Sequence, residues 1–391
     1  MRYDFDKVFN KENTDSVKWN FTKKILGYDD VIPMWIADMD FETVPEVKEA
    51  IIKRASQGIY GYSETMAGYY DAIINWMEKR HQWKVEKEWL CISPGVITAL
   101  NIVVKALTHP GDKIIIQSPV YYPFFNSISR NGCEILNNPL KSVEDRYYID
   151  FEDLEEKIKD ERVKLMIICN PHNPIGRVWT KEELQKIGEI CLKHDVVVVS
   201  DEIHSDLIYR GYKHTSFASI SKEFEQNSIT CTAPSKTFNL AGLQTSNIII
   251  PNKKLRKEYN IALENMGISR LNLFGVIGCE AAYKYGEEWL EQLLDYIEEN
   301  KNFTEKYISE KIPKLKVVKA EGTYLLWIDF RELGMKGKEL KKFMMTKAKV
   351  AFNEGFIFGE GGEGFERMNI ACPRSILKEA LERIEKAINN I

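Results

Sequence analysis

The chain has 391 residues, of which 44% are hydrophobic and 29% are charged, and its formal net charge is −4 at pH 7. This length exceeds what one hydrophobic core usually supports, so the composition is typical of a globular protein of two domains. The slight acidic excess excludes the broad basic surface that nucleic-acid binding requires.

The seven cysteines are an odd number, are scattered along the sequence and form no Cys-x-x-Cys pair. They predict reduced, buried thiols rather than a disulfide framework or a zinc site, and we expect no metal. No stretch reaches the roughly 18–20 apolar residues of a membrane-spanning helix, and the charged amino terminus does not resemble a secretory signal. We therefore expect a soluble, cytoplasmic protein without a membrane or nucleic-acid partner. The cysteines are Cys91, Cys133, Cys169, Cys191, Cys231, Cys279 and Cys372.

The first segment, residues 1–45, contains Trp19, Pro33, Trp35 and Pro45 but no sustained helical or strand periodicity. Proline and the lack of a repeating apolar pattern argue against regular structure. The segment is predicted to be an extended N-terminal arm or part of a small domain.

Residues 46–285 alternate short apolar runs with longer helical patterns, as in a mainly parallel sheet covered by helices. Between two of these runs, Thr180–His194 is predicted to be an amphipathic helix that begins with a capping box formed by Thr180 and Glu183. The pattern predicts a large α/β domain. Its predicted strands are Lys113–Gln117, Lys164–Cys169, Val196–Ser200, Ile229–Thr232 and Asn247–Ile250.

After Tyr283 the sequence changes to a long, charge-rich helical stretch that runs to Lys311. A strand-like segment, Thr323–Phe330, and a helix near Ser375–Asn389 follow. Residues 286–391 are therefore predicted to form a smaller α+β domain, with its boundary inside a continuous helix.

Three polar motifs follow predicted strands, at the edge where open α/β sheets place their ligands. The first is the proline-broken loop Asn170–Gly176, which cannot extend its strand and leaves its side chains free to face a site. The second begins with Asp201, a carboxylate at the end of a buried strand, which needs a cationic partner such as a protonated pyridine nitrogen. The third contains Lys236, whose amine would have a lowered pKa in a desolvated turn and would attack an aldehyde.

Together these motifs resemble those of the fold-type I, pyridoxal-phosphate-dependent aminotransferase superfamily, classes I and II, over nearly the whole chain. Within that superfamily the chain looks most like the branch of cysteine-S-conjugate and cystathionine β-lyases that includes MalY, PatB and cystalysin. The resemblance implies an aspartate-aminotransferase-like fold. The residues that carry the closer match are Lys18–Trp19, Ala37–Met39, Val120–Phe125, Pro171–Trp179, Asp201–His204, Ala233–Asn239 and Phe365–Asn369.

The resemblance also implies how pyridoxal 5′-phosphate and substrate would be held. Lys236 would bind the cofactor as a Schiff base, and Asp201 would keep its pyridine nitrogen protonated. Asn173 would bond to the ring's phenolic oxygen and contact the substrate, while Tyr121 would stack on the ring and steady or protonate the leaving sulfur. Arg367 would clamp the substrate's carboxylate in a bidentate fork.

The cofactor's phosphate would lie against the start of a predicted helix. There the backbone amides of Gly95, Val96 and Ile97 would cradle it with the help of the helix dipole. Ser235 would add a hydroxyl group. Tyr62 would reach the phosphate from a neighbouring subunit, which implies a homodimer with shared active sites.

Two positions depart from the pattern of other aminotransferases in the superfamily. Gln244 stands where they carry a phosphate-binding arginine, and His204 stands where they carry a tyrosine. We therefore expect phosphate anchoring to depend more on the helix start, on Ser235 and on Tyr62. His204 is expected to support the hydrogen-bond network around the cofactor.

Several of these residues have a structural alternative. Arg367 could form a structural salt bridge, Tyr121 could be a core aromatic, and His172 and His204 could be loop residues without acid–base roles. The segment Gly359–Gly364 lacks the Lys-Ser/Thr ending of a nucleotide-binding loop, so it is interpreted as a mobile turn near Arg367.

Three functions are compatible with this set of residues. The first is a carbon–sulfur β-lyase that converts cystathionine or another cysteine S-conjugate to a thiol, pyruvate and ammonia. The second is an aminotransferase, which shares the early steps but needs a 2-oxo acid acceptor. The third is a regulatory or partner-binding protein on the same fold, with catalysis secondary. The complete set of Lys236, Asp201 and Arg367 argues against a loss of chemistry and leaves a second role open. The branch-specific motifs favour the lyase.

Overall fold

The computed structural model describes residues 3–11 and 14–391 of the chain. Within these residues the strands are β1 (Ile32–Pro33), β2 (Leu90–Ser93), β3 (Lys113–Ile116), β4 (Glu134–Asn137), β5 (Lys141–Val143), β6 (Arg146–Tyr148), β7 (Val163–Cys169), β8 (Val197–Asp201), β9 (Ser228–Thr232), β10 (Ser246–Ile249), β11 (Lys316–Val317), β12 (Leu325–Asp329), β13 (Val350–Ala351), β14 (Asn353–Glu354) and β15 (Phe365–Asn369). The α-helices are α1 (Val17–Asn20), α2 (Thr22–Leu26), α3 (Pro45–Ala55), α4 (Ala67–His81), α5 (Val96–Leu107), α6 (Pro123–Ser129), α7 (Phe151–Lys157), α8 (Lys181–Lys193), α9 (Lys222–Gln226), α10 (Pro234–Thr237), α11 (Lys253–Asn265), α12 (Leu273–Tyr285), α13 (Glu287–Lys311), α14 (Gly337–Phe343) and α15 (Arg374–Ile388).

The large sheet of the described residues has seven strands in the spatial order β2-β10-β9-β8-β7-β3-β4. Strand β10 runs antiparallel to both of its neighbours, and the other pairs are parallel. The central strands β7, β8 and β9 are almost wholly buried, which explains their continuous apolar sequences. The five strands predicted from the sequence are confirmed. The sequence pattern does not predict β2 and β4, which form the two edges of the sheet.

Helix α8 confirms the predicted capping box. The Thr180 hydroxyl accepts a hydrogen bond from the Glu183 N–H, and the Glu183 carboxylate accepts one from the Thr180 N–H. Its buried face carries Leu184, Ile187 and Cys191, the three residues expected from the amphipathic pattern.

A smaller antiparallel sheet has the strand order β11-β12-β15-β14. Strands β12 and β15 pair along their whole length, so Trp327 lies opposite Arg367. Helix α13 packs against α15 and also contacts β11. This α+β unit has the architecture predicted for the C-terminal part, while the domain limits 46–285 and 286–391 remain predictions.

The N-terminal arm is joined to this smaller unit rather than being extended throughout. It contains the short helices α1 and α2, and β1 pairs in parallel with β13. The Met34 N–H donates to the Ala351 carbonyl, and the Asn369 N–H donates to the Met34 carbonyl. The arm therefore brings residues 34–41 next to β15.

Gly286 separates α12 from α13, so the predicted continuous helix at this boundary is wrong. A Cβ atom at position 286 would clash with the ring of Phe238 and with the Ala282 carbonyl. The close approach of Phe238, two residues after Lys236, therefore requires glycine at this position.

Candidate active site

A cavity of about 250 Å³ lies at the carboxyl ends of the central strands. The segments after β7, β8 and β9, the start of α5 and part of the N-terminal arm enclose it. Open α/β sheets bind their ligands at this edge. Nine of the predicted site residues line the cavity, namely Gly95, Val96, Ile97, Tyr121, Asn173, Asp201, His204, Ser235 and Lys236.

Lys236 lies in the one-turn helix α10, directly after β9. Its Nζ donates a hydrogen bond to the Ala37 carbonyl at 2.6 Å. Burial lowers the pKa of Lys236 to about 8; the carboxylates of Asp38 and Asp201 oppose this shift, and Arg367 adds to it. The amine is therefore unprotonated at neutral pH far more often than that of an exposed lysine, as a nucleophile requires.

Asp201 is the last residue of β8 and is only 3% exposed. Its Oδ1 accepts a hydrogen bond from the Ile203 N–H at 3.2 Å, and no cationic side chain of the described residues forms an ion pair with it. Burial raises the pKa of Asp201 to about 7, although the Ile203 N–H and the positive charge of Lys236 oppose the shift. A cationic ring nitrogen in the cavity would supply the missing partner.

His204 is buried in the wall of the cavity, and its Nδ1 has no hydrogen-bond partner among the described residues. Burial holds the pKa of His204 well below its usual value, and the positive charges of Lys236 and Arg367 lower it further. The neutral ring packs edge-on against Tyr324, with 5.9 Å between the ring centroids. His204 is therefore able to exchange a hydrogen bond with a ligand without carrying charge.

Arg367 lies just outside the cavity and is joined to it through Asn173. Nη1 of Arg367 donates to Asn173 Oδ1 at 2.9 Å, and Nη2 donates to the Trp35 carbonyl at 2.9 Å and to Asn353 Oδ1. Nε is buried without an acceptor. Within the described part of the chain Arg367 has no carboxylate partner, so the structural salt bridge considered above is not supported. The amide nitrogen of Asn173 is left to donate to a ligand.

Tyr121 belongs to the cavity wall, where its side chain is only partly covered. Its ring contacts those of Tyr122 and Phe124, with centroid separations of 5.4 Å and 6.0 Å. Burial raises the pKa of Tyr121 to about 12, so the phenol stays protonated near neutral pH. Stacking of this ring on a cofactor remains a prediction.

The amino terminus of α5 faces the cavity without a side-chain cap. Gly95 occupies the capping position with a φ angle of 150°, and a Cβ atom there would meet open space. The first amides of the helix, at Val96 and Ile97, therefore have room in front of them for an anionic group. Unpaired amides and the helix dipole favour an anion at this position.

Tyr62 does not line the cavity of its own chain. Its side chain is fully exposed, and its ring lies 5.8 Å from the guanidinium carbon of Arg270. The role of Tyr62 in a neighbouring subunit remains a prediction.

Several groups that border the cavity are not among the site residues predicted from the sequence. The Ala37 carbonyl accepts from Lys236, and burial raises the pKa of the adjacent Asp38, whose carboxylate lies 3.4 Å from Lys18 Nζ. A backbone carbonyl has no signature in the side-chain pattern; the only signal was the Ala37–Met39 motif, to which no role was assigned. The other lining residues without an assigned role are Pro94, Thr98, Cys169, Ile203, Ala241, Gln244, Thr245 and Ser246.

The predicted burial of the seven cysteines is confirmed, and each of them is free. Residues 3–11 and 14–391 contain no group of three potential metal ligands. The same residues include no helix long and apolar enough to cross a membrane.

The chain is similar in sequence and in structure to known proteins. The model of the family described as aminotransferase class I and II matches residues 29–384. The chain is 48% identical over 385 residues to a protein named cystathionine beta-lyase PatB from Bacillus subtilis, which covers 98% of this chain and 100% of that protein. Cystalysin from Treponema denticola, solved with a pyridoxal 5′-phosphate cofactor, is 41% identical with a TM-score of 0.97 and full coverage of both chains. A PLP-bound putative aminotransferase from Clostridium difficile 630 is 51% identical with a TM-score of 0.97, covering 99% of this chain and 100% of its own.

Proposed function

Because the chain belongs to the aminotransferase class I and II family, we propose that it is a pyridoxal-phosphate-dependent carbon–sulfur β-lyase. It cleaves cystathionine or another cysteine S-conjugate to a thiol, pyruvate and ammonia. The observation that carries the proposal is that the low-pKa amine of Lys236 and the unpaired, buried carboxylate of Asp201 share one cavity. The relative named as a cystathionine β-lyase favours this activity over others in the family.

The chemistry of the cavity fits pyridoxal phosphate. Lys236 would bind the aldehyde carbon, and Asp201 would pair with the protonated ring nitrogen. The Nδ1 of His204, which has no partner among residues 3–11 and 14–391, and the amide of Asn173 would hydrogen-bond to the ring's oxygen substituent. The amides at the start of α5, from Val96 onward, would bind the phosphate.

When bound, the cofactor supplies an electron sink that stabilises negative charge at the substrate's α-carbon. Once the substrate's amino group has replaced Lys236 on the aldehyde carbon, the freed Nζ of Lys236 would take the proton from the α-carbon, because its lowered pKa leaves part of the amine unprotonated near neutral pH. The hydroxyl of Tyr121 stays protonated near neutral pH and would donate a hydrogen bond that steadies the leaving sulfur.

Arg367 would bind the substrate's carboxylate. Its guanidinium is already oriented by Asn173, Trp35 and Asn353, and its Nε–H finds no acceptor in the described part of the chain. A carboxylate that accepted from Nε would satisfy this buried donor and compensate a charge that the described residues leave unpaired. The same contact would fix the α-carbon relative to Lys236.

We test the function by product analysis of the purified protein with pyridoxal phosphate and cystathionine. Pyruvate and thiol should form without any 2-oxo acid, and a Lys236→Ala variant should release neither. Absence of both products from cystathionine and from small S-alkylcysteines would contradict the lyase. A requirement for a 2-oxo acid without thiol release would indicate an aminotransferase.

The proposal includes a homodimer with shared active sites. Tyr62 is fully exposed in the single chain and lies among other exposed apolar residues, which a second subunit would cover. These neighbours are Ile59, Tyr60 and Met66.

Mixed dimers test this arrangement. A Tyr62→Ala chain and a Lys236→Ala chain should each have low activity alone. Random mixing by reversible unfolding should restore activity in about a quarter of the sites, because in a hybrid the intact Lys236 meets the partner's intact Tyr62. Hybrids that form without regaining activity would show that Tyr62 does not act across an interface.

We also propose a cytoplasmic location. The seven buried, free cysteines suit a reducing compartment, since a chain with an odd number of thiols is prone to wrong pairing in an oxidising one. Detection of the protein in the fraction outside the cell membrane would contradict this location.

A further inference from the structure

Asp206 is a buried carboxylate that the mechanism above does not use. It lies five residues after Asp201 and is only 4% exposed. Its Oδ1 accepts a hydrogen bond from Trp76 Nε1 at 3.1 Å, and it lies 2.9 Å from His81 Nε2 and 3.3 Å from the Nε of Arg80. Helix α4 therefore places one indole N–H and two basic side chains against one carboxylate oxygen.

The second oxygen of Asp206 accepts from the turn that carries the reactive amine. The hydroxyl of Thr237 donates to Asp206 Oδ2 at 2.7 Å, and Thr237 is fully buried. Thr237 is the residue directly after Lys236 and the last residue of α10. Asp206 thus connects the Lys236 turn to α4 and to its own loop, which begins at Asp201.

Helix α10 needs such an anchor because it is too short to hold its own geometry. A helix of four residues has little intrinsic stability, and its N-cap, Ala233, contributes no side-chain bond. Farther along, Asn239 is held by Met39 and Phe41, to whose carbonyls its amide donates. The bond from Thr237 to Asp206 therefore fixes the turn at the residue adjacent to Lys236, independently of the contact that the lysine amine itself makes with the Ala37 carbonyl.

The carboxyl group of Asp206 is ionised in the pH range in which the enzyme would act. Burial by itself would raise the pKa of this carboxyl group, but the hydrogen bond and charge of His81, together with Arg80 and Thr237, outweigh it and lower the pKa to about 2. The carboxylate is therefore ionised throughout the range in which the enzyme would act, and the hydroxyl of Thr237 has a permanent acceptor.

We propose that Asp206 is a positioning residue, which acts through the Thr237 hydroxyl to hold Lys236 in one place relative to Asp201. The inference rests on the proposed function, because it concerns the amine that would bind the cofactor. Loosening the turn would displace Nζ from the substrate's α-carbon, and a displacement of about 1 Å costs on the order of 100-fold in rate.

Three threonine variants test the proposal in the holoenzyme. Thr237→Val removes the hydroxyl with little change in volume, and Thr237→Ser keeps it. Thr304→Val is the matched control, since Thr304 is equally buried and its hydroxyl bonds only to the Asn300 carbonyl in α13. Each protein is assayed for kcat, KM, Tm and the pH midpoint of the visible absorbance that pyridoxal phosphate gives when it binds Lys236.

Thr237→Val should lower kcat roughly 10- to 100-fold and shift the absorbance midpoint, with KM changed less than about threefold. Thr237→Ser should recover most of the loss, and Thr304→Val should lower Tm without changing kcat or the midpoint. Unchanged kcat and midpoint in Thr237→Val, or the same loss in Thr237→Ser, would overturn the inference.

Thr237→Ala provides the same test if the valine variant does not fold, because it removes the hydroxyl without adding an apolar methyl group in its place. It too should lower kcat and shift the midpoint, and wild-type values for both would overturn the inference. A wild-type protein that neither binds the cofactor at Lys236 nor releases pyruvate would instead refute the proposed function, so the two failures are distinguishable.

Discussion

Two clusters of charged side chains in this molecule differ in whether their charges have ion-pair partners. In the paired cluster, formed by Arg177, Glu321 and Arg146, the Arg177 Nη1 donates to one oxygen of Glu321 at 2.6 Å, and Arg146 lies 2.8 Å from the other. In the cavity cluster, formed by Lys236, Asp201 and Arg367, the described residues provide no ion-pair partner for Asp201. The charges of the first cluster are paired with opposite charges, whereas Asp201 in the second is not paired within the described residues.

The difference separates structural from functional charge. Both clusters lie near loops that follow central strands, so sequence position alone does not distinguish them. Arg177 and Glu321 compensate each other and join the loop after β7 to the smaller unit, as expected of a pair that holds a fold together. The cavity cluster keeps an unpaired carboxylate and a low-pKa amine, a costly arrangement that a bound cofactor and substrate would relieve.

The largest effect should come from removing the amine of the cavity cluster. Lys236→Ala should lower the lyase activity by at least about 1,000-fold, because no other group would both bind the aldehyde and take the α-proton. Borohydride treatment of the cofactor-loaded variant should trap no adduct. Lys113→Ala serves as the control, since Lys113 pairs with Asp160 away from the cavity and should leave the trapped adduct unchanged.

The next effect should come from the paired cluster, and on stability rather than on chemistry. Glu321→Gln removes the negative charge that Arg146 and Arg177 share, although Arg177 keeps its bidentate pair with Glu183. The free energy of unfolding, measured by urea denaturation, should fall by roughly 2 kcal/mol. KM should stay within about twofold of the wild type. Glu156→Gln, which breaks an exposed pair with Lys159, should cost less than about 1 kcal/mol. Equal losses in the two variants would contradict the distinction drawn here.

A smaller effect is expected from the substrate-facing member of the cavity cluster. Arg367→Lys keeps the charge but loses the planar fork, so KM for cystathionine should rise roughly 10- to 50-fold. The absorbance of the cofactor bound at Lys236 should be retained. Arg331→Lys, at an exposed pair with Asp329, should leave KM unchanged. An unaltered KM in Arg367→Lys would show that another group binds the carboxylate.

The smallest effect is expected between pH 6 and pH 8, within a pH dependence of stability that arises from Asp201. Because burial raises its pKa from the ordinary value to about 7, the folded chain holds this proton more tightly than the unfolded chain. The chain without cofactor should therefore lose stability as pH rises from about 4 to about 7, where the buried carboxylate becomes charged.

A cationic cofactor ring should remove the loss of stability that the buried, charged Asp201 causes. The gain in Tm on adding pyridoxal phosphate should be larger at pH 8 than at pH 6 by a few degrees, and Asp201→Asn should reduce that difference while keeping Lys236 intact. The same pH dependence in the wild type and in Asp201→Asn would contradict the assignment.

Much of the fold and of the cavity follows from the sequence by local rules. Continuous apolar runs predict β7, β8 and β9 because, in strands buried on both faces, apolar residues do not alternate with polar ones. The polar motifs that contain Asn173, Asp201 and Lys236 follow directly from those strands, so their meeting at one edge is predictable. The continuous helix predicted across residue 286 is wrong because a contact distant in sequence determines where the helix ends. The ring of Phe238 leaves no room for a side chain at Gly286.

The sequence by itself determined which residue types stand at the strand ends and which family's motifs they match. The tertiary structure alone decided which charges are compensated. It gave Glu321 two arginine partners and Asp206 the hydroxyl of Thr237, and it brought the Ala37 carbonyl to the reactive lysine. Among the residues that the structure describes, it placed no cationic side chain in an ion pair with Asp201. Compensation depends on distances between segments that are far apart in the chain, and such distances exist only after the fold has formed.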